Sequence, residues 1–139
     1  MPRRRYALFA ALFITCGGGA KREAASLVAE VDRYRRADNA SKMAQAQRVA
    51  SVVCTEEKVC RAKRACLSAI APSARALAIK DEVARRLADI EGKRVSPDSP
   101  DAQRLPGKLD EAEKLLNEGR TKMPDCERML TDLQLEYGV

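Results

Sequence analysis

Apolar residues recur at helical spacing along most of the chain, and no segment shows the strict alternation of a β-strand. From Lys21 to Glu91 the sequence contains one proline and no glycine, which is typical of long helices. We expect one long helix over residues 21–53 and a second over residues 56–91. The Asp38-Asn39 pair lies between two apolar stripes of the first helix, where it can bend or break that helix.

Local sequence signals predict where the remaining helices begin and end. Thr55 is expected to cap the N-terminus of the second long helix, because its hydroxyl can accept from free backbone N–H groups. Residues 92–106 contain three prolines and are interpreted as a linker. Two shorter helices are expected over residues 107–118 and 124–137, and Gly119 is expected to close the first of them.

These elements predict an all-α fold in which residues 21–139 form one domain. The two long helices form an antiparallel hairpin, and the two short C-terminal helices dock on it. Residues 21–90 carry 15 basic and 9 acidic groups, whereas residues 91–139 carry 8 and 11, so opposite charges favour this docking. The apolar stripes are thin and rich in alanine, and we therefore expect disulfides to staple the core.

The first 15 residues have the organisation of an export signal. Arg3, Arg4 and Arg5 precede an apolar run of about ten residues. That run is too short to span a bilayer, which needs roughly 20 apolar residues. Loss of the three arginines with the signal leaves 23 basic against 20 acidic residues, so the formal net charge falls from +6 to +3.

Cys16 follows the apolar run directly, and the small residues Gly17–Ala20 come after it. A signal that ends in this way resembles that of a bacterial lipoprotein, and the resemblance covers only the first 20 residues. It implies that Cys16 becomes the lipidated first residue of the mature chain and that residues 16–20 form a flexible tether. Phe13 stands where the family prefers leucine, and ordinary cleavage after Ala20, which would release a secreted protein, is the alternative.

Four further cysteines, Cys54, Cys60, Cys66 and Cys126, are expected in the mature chain. On one continuous helix, residues six apart are separated by about 9 Å along the axis and about 120° around it. A disulfide needs Cα atoms within about 7 Å, so no two of the first three can pair on an unbroken helix. A helix break at Cys54 allows it to reach Cys60, which leaves Cys66 for Cys126. Four cysteines allow three pairings, and this one is a hypothesis.

Metal-binding and redox roles for these cysteines are disfavoured. Structural zinc sites favour cysteines two to four residues apart, and no such spacing occurs in the chain. The sequence also has no Cys-x-x-Cys motif, and exported proteins usually hold their cysteines as disulfides. We therefore expect no metal, while a thiol-based redox protein is kept as a third hypothesis.

Two basic clusters are the remaining candidate sites, for contact with an anionic membrane surface or a polyanionic ligand. Both clusters have acidic neighbours, so the alternative is that these basic residues form a solvent-exposed helix face without a ligand. The export signal argues against nucleic acid as a partner. The clusters consist of Arg33, Arg35 and Arg36, and of Arg61, Lys63 and Arg64.

The chain has no histidine, which excludes Ser-His-Asp and Cys-His nucleophiles. Adjacent carboxylates such as Asp81-Glu82 splay apart on a helix and cannot act as an acid–base pair. We therefore expect no cofactor and no enzymatic activity. The sequence favours an envelope protein that is anchored in the membrane through Cys16 and acts as an interaction or structural module, with an envelope protein as its partner. A secreted binding module for a small or polyanionic ligand is the alternative.

Overall fold

The computed structural model describes residues 18–139, which form helices joined by short connections. No strand occurs in this part of the chain, so the predicted all-α class is confirmed. The helices are α1 (Gly18–Arg36), α2 (Lys42–Ser51), α3 (Glu57–Glu91), α4 (Pro100–Gln103) and α5 (Leu105–Tyr137), with a 3-10 helix at Asn39–Ser41 between α1 and α2.

The N-terminal segment predicted as one long helix is a pair of helices that breaks at the Asp38-Asn39 pair. The Asp38 carboxylate accepts the N–H of Ser41 at 2.8 Å and so caps the 3-10 helix. α2 then runs back along α1, where the Gln45 amide donates to the Glu30 carboxylate at 2.7 Å. The break therefore converts an extended helix into a hairpin.

Lys42 and Tyr34 fasten the turn between α1 and α2. The Lys42 ammonium donates to the carbonyl of Tyr34 and, at 3.1 Å, to that of Arg35, and it lies 4.5 Å from the centre of the Tyr34 ring. The Tyr34 hydroxyl is buried and donates a hydrogen bond to the Ile70 carbonyl oxygen, at an O–O distance of 3.5 Å. Burial raises the pKa of Tyr34 and lowers the pKa of Lys42. Through Tyr34, the end of α1 is held against α3.

The long antiparallel hairpin is made by α3 and α5, and not by the two segments predicted to form it, residues 21–53 and 56–91. Lys58 near the start of α3 pairs with Glu136 near the end of α5 at 2.6 Å, and Glu82 pairs with Lys108 at 2.5 Å. The two short helices predicted over residues 107–118 and 124–137 are therefore one continuous helix of 33 residues. That part of the prediction was wrong.

Close packing against α3 explains why α5 does not end at Gly119. A Cβ atom added at Gly119 would overlap the Ser73 hydroxyl oxygen and lie 2.6 Å from the Ala69 carbonyl oxygen. Glycine here permits two helix backbones to approach each other, and Pro124 is exposed on the same continuous helix. Five buried residues of α5 share a spacing of seven and mark its contact side: Leu105, Ala112, Gly119, Cys126 and Leu133.

The hydrophobic core lies at one end of this hairpin, which we call the head. There α1 and α2 cover the first half of α3 and the last turns of α5, and the core includes Leu27, Val49 and Ile70. Beyond Ala74 the hairpin continues as two helices, together with α4, and we call residues 75–118 the arm. The arm buries four side chains along its seam: Ala76, Val83, Leu105 and Ala112.

The start of α3 is fixed by α1 and not by a threonine cap. The Glu56 side chain is the cap and accepts the N–H of Lys58 at 3.4 Å. The N–H and the hydroxyl of Thr55 instead donate to the Glu23 carboxylate of α1, at 2.8 and 2.6 Å. The predicted cap was therefore wrong, because a carboxylate on another helix takes both donors of Thr55.

Candidate functional site

The structure pairs the four cysteines as the sequence predicts. Cys66 and Cys126 are fully buried and join α3 to α5, with a Cα–Cα distance of 4.4 Å. Cys54 and Cys60 are partly buried and join the loop before α3 to its first turn, with a Cα–Cα distance of 5.3 Å. One disulfide therefore clamps the two longest helices inside the head, and the other fixes the entry into α3.

The first basic cluster does not present free positive charge. Each of its three arginines lies within ion-pair distance of a carboxylate, and one of these pairs links α1 to α5. Such exposed pairs contribute little stability, but they offset the charge that the sequence suggested was available to an anionic surface. The pairs are Arg33–Glu30, Arg36–Asp32 and, at 3.6 Å, Arg35–Glu127.

The second basic cluster is divided among different sides of α3. The Lys63 ammonium donates to the Val52 carbonyl oxygen at 2.7 Å and so faces α2. Arg61 borders a groove between α3 and α5, on another side of the helix. Arg64 lies 3.4 Å from Glu57 of the same helix. The structure therefore does not bring the two clusters together as one basic surface.

Cys16 lies outside the described residues. The start of α1, however, tests the flexible tether that was predicted over residues 16–20. α1 begins at Gly18, and the Gly18 carbonyl accepts from Arg22 Nε at 3.2 Å. The prediction of a flexible tether is thus wrong for residues 18–20, because they belong to α1. α1 is held in the head by buried side chains such as Leu27. Only Gly17 separates Cys16 from α1.

An open groove of about 710 Å³ lies between α1 and α2 at this same end of the head. Arg22 from α1 and Arg48 from α2 both line it, together with Val53, which is 70% exposed. The groove also contains Glu23 and Glu30, whose oxygens accept hydrogen bonds from other residues of the head. Sequence reasoning missed this site, since its two arginines lie on different helices and neither belongs to the two basic clusters of the sequence analysis.

The chain matches no protein-family model, no curated protein and no solved structure. Among residues 18–139, no group of three or more histidine, cysteine, aspartate or glutamate side chains could hold a metal ion. No helix in that part of the chain is long and apolar enough to cross a membrane. Functional inference therefore rests on the disulfides, the charged surfaces and the position of α1.

Proposed function

We propose that the protein is an exported, lipid-anchored and non-enzymatic protein of the cell envelope that acts as a helical interaction or structural module. The observation that carries this proposal is the pair of disulfides, Cys54–Cys60 and Cys66–Cys126. Disulfides persist in oxidising compartments and are rare where thiols are kept reduced. They therefore agree with the export signal predicted for the first 15 residues.

The position of α1 supports an anchor at Cys16. With Gly18 already helical, a lipid on Cys16 would hold the start of α1 against the membrane surface. The Glu23–Thr55 hydrogen bonds bring the start of α3 to the same end of the head. α3 has 35 residues and is therefore about 50 Å long. The arm would accordingly project away from the membrane.

The composition of the arm supports a role in interaction or in spacing. Its seam buries only four side chains, and two large apolar side chains, Leu87 and Leu109, are 45% and 41% exposed. Charged residues surround them, and the ion pair Arg75–Glu111 crosses the arm at 2.7 Å. A long, charged projection of two helices offers surface to a partner.

The direct test is replacement of Cys16 by serine in the cell, followed by separation of membrane and soluble fractions. We expect the Cys16→Ser chain to be unprocessed or mislocalised. The matched control replaces Arg33, Arg35 and Arg36 by glutamine, and this chain is expected to stay in the membrane fraction because those charges are already paired. Unchanged processing and membrane association of Cys16→Ser would contradict the lipid anchor.

A further inference from the structure

The groove between α1 and α2 opens where the anchored chain would meet the membrane. Gly19, in the first turn of α1, forms part of its wall, and Gly19 is three residues from Cys16. The end of α2 and the exposed Val53 form the opposite side. A lipid on Cys16 would therefore bring this groove to the level of the phospholipid headgroups.

The groove is lined by two arginines and two glutamates, and the arginines are not paired with the glutamates. Neither Arg22 nor Arg48 forms an ion pair with a carboxylate in residues 18–139, and the preceding 17 residues contain no aspartate or glutamate. Arg22 makes one hydrogen bond, from Nε to the Gly18 carbonyl, which leaves its terminal nitrogens free of that contact. Guanidinium groups suit phosphate oxygens, because they can donate two parallel hydrogen bonds.

The two carboxylates that line the groove, those of Glu23 and Glu30, bind residues other than Arg22 and Arg48. Glu23 accepts the N–H and hydroxyl of Thr55 and the N–H of Glu56, at 2.8, 2.6 and 3.2 Å. Glu30 pairs with Arg33 and accepts from Gln45. Neither carboxylate forms an ion pair with Arg22 or Arg48, so an external anion can bind these arginines without breaking an ion pair.

Val53 adds an apolar contact beside these charges. Its side chain is 70% exposed although the neighbouring Val52 is buried in the core. An apolar side chain next to arginines matches the boundary between headgroups and acyl chains, where apolar groups enter the bilayer and cations meet phosphates.

We infer that this groove binds the headgroup of an anionic phospholipid, with Arg22 and Arg48 on the phosphate and Val53 against the acyl boundary. The inference rests on the proposed lipid anchor and adds a lipid preference to it. The headgroup groove would orient the head on the bilayer, whereas a single lipid on Cys16 would leave the head free to rotate.

The test uses the mature chain, residues 16–139, carrying Cys16→Ser, so that neither a lipid nor the export signal contributes to binding. Flotation with vesicles of phosphatidylcholine, alone or mixed equally with phosphatidylglycerol, measures the preference for anionic lipid. We expect Arg22→Gln with Arg48→Gln to weaken binding to the mixed vesicles about 25-fold, since each arginine near an anionic surface contributes about fivefold. The lysine pair, Arg22→Lys with Arg48→Lys, is expected to bind more weakly than the natural pair but more tightly than the glutamine pair, because it keeps the charge without the paired hydrogen bonds.

The matched control is Arg33→Gln with Arg36→Gln, which removes the same net charge from two paired arginines. We expect this pair to weaken binding much less, and we expect all variants to show the same thermal unfolding. Equal losses in both glutamine pairs, or equal binding to both kinds of vesicle, would overturn the inference. Binding of inorganic phosphate that depends on Arg22 and Arg48, without any preference for phosphatidylglycerol, would assign the groove to a free anion and also overturn it.

A failure here is distinguishable from a failure of the proposed function. Cys16 is replaced in every chain of the vesicle experiment, so a negative result leaves the lipid anchor standing. Conversely, membrane retention of Cys16→Ser in the cell would contradict the anchor whatever the vesicle experiment shows.

Discussion

Replacement of Gly119 by alanine tests whether α3 and α5 depend on a close approach of their backbones. The added Cβ would overlap the Ser73 hydroxyl oxygen and lie 2.6 Å from the Ala69 carbonyl oxygen. Overpacking of this kind costs about 1–3 kcal/mol, and we expect the upper part of that range because one contact is with backbone. Alanine recovers at most about 1 kcal/mol of helix propensity. The free energy of unfolding is therefore expected to fall by about 1–2 kcal/mol.

Two further variants separate packing from propensity. Gly107, in the first turn of α5, has no neighbouring atom within 4 Å of an added Cβ, so Gly107→Ala is expected to leave stability unchanged or to raise it by up to about 1 kcal/mol. In a Ser73→Ala background the hydroxyl clash disappears while the Ala69 carbonyl contact remains. Gly119→Ala is then expected to cost less than in the natural chain, which a double-mutant cycle measures directly.

The assay is urea unfolding followed by circular dichroism, with both disulfides intact. A thermal melt provides a second readout, in which 1 kcal/mol corresponds to about 3–5 °C in Tm for a chain of this size. If Gly119→Ala is as stable as the natural chain, or more stable, then α3 and α5 do not approach closely at this residue. That result would refute the explanation given for the continuity of α5.

Three further predictions concern a disulfide, a strained residue and a hydrogen-bonded carboxylate. Replacing both Cys66 and Cys126 by serine removes a disulfide between residues 60 positions apart, and urea unfolding is expected to show that the free energy of unfolding falls by about 4 kcal/mol. An unchanged free energy of unfolding would contradict a stabilising role for this disulfide. Lys93 has a φ of 57°, so Lys93→Gly is expected to raise stability by about 1 kcal/mol, and a loss would contradict the left-handed conformation. Hydrogen bonds from Thr55 hold the pKa of Glu23 below its ordinary 4.5, so the stability that Glu23 contributes is present above that pH and is lost as the pH falls through the lowered pKa. Glu23→Gln is expected to remove that part of the decline in a series of unfolding curves against pH, and an unchanged decline would count against the Thr55 contact.

Local geometry favoured the observed cysteine pairing and marked the position at which the N-terminal helix breaks. The six-residue spacing excluded bridges within one unbroken helix, and the break expected at Cys54 favoured Cys54–Cys60 with Cys66–Cys126. The Asp38-Asn39 pair likewise interrupts two apolar stripes, and its carboxylate forms a local cap. Both predictions depend on residues that are close in sequence or on a limit set by helix dimensions.

The continuity of α5 was missed because the middle of its contact side is made of small residues. Gly119 and Pro124 are helix breakers by local propensity, whereas in the structure α5 continues through both and packs closely on α3 at Gly119. The spacing of seven that joins Ala112, Gly119 and Cys126 was present in the sequence. A search that counted alanine, glycine and cysteine as packing residues would have found it.

Charge clustering along the chain was a poor guide to charge clustering in space. Arg61 and Lys63 are two residues apart and face different neighbours, α5 and α2. Arg22 and Arg48 are distant in sequence, and the α1–α2 hairpin brings them to one groove. That juxtaposition depends on the direction in which α2 returns along α1, which the sequence alone does not determine.

The most direct test of the proposed anchor is mass spectrometry of the N-terminus of the mature protein purified from membranes. We expect the chain to begin at Cys16 and to carry a diacylglyceryl modification on that residue, with both disulfides intact. A mature chain that begins at an unmodified Lys21 would contradict the lipid anchor and identify the protein as secreted.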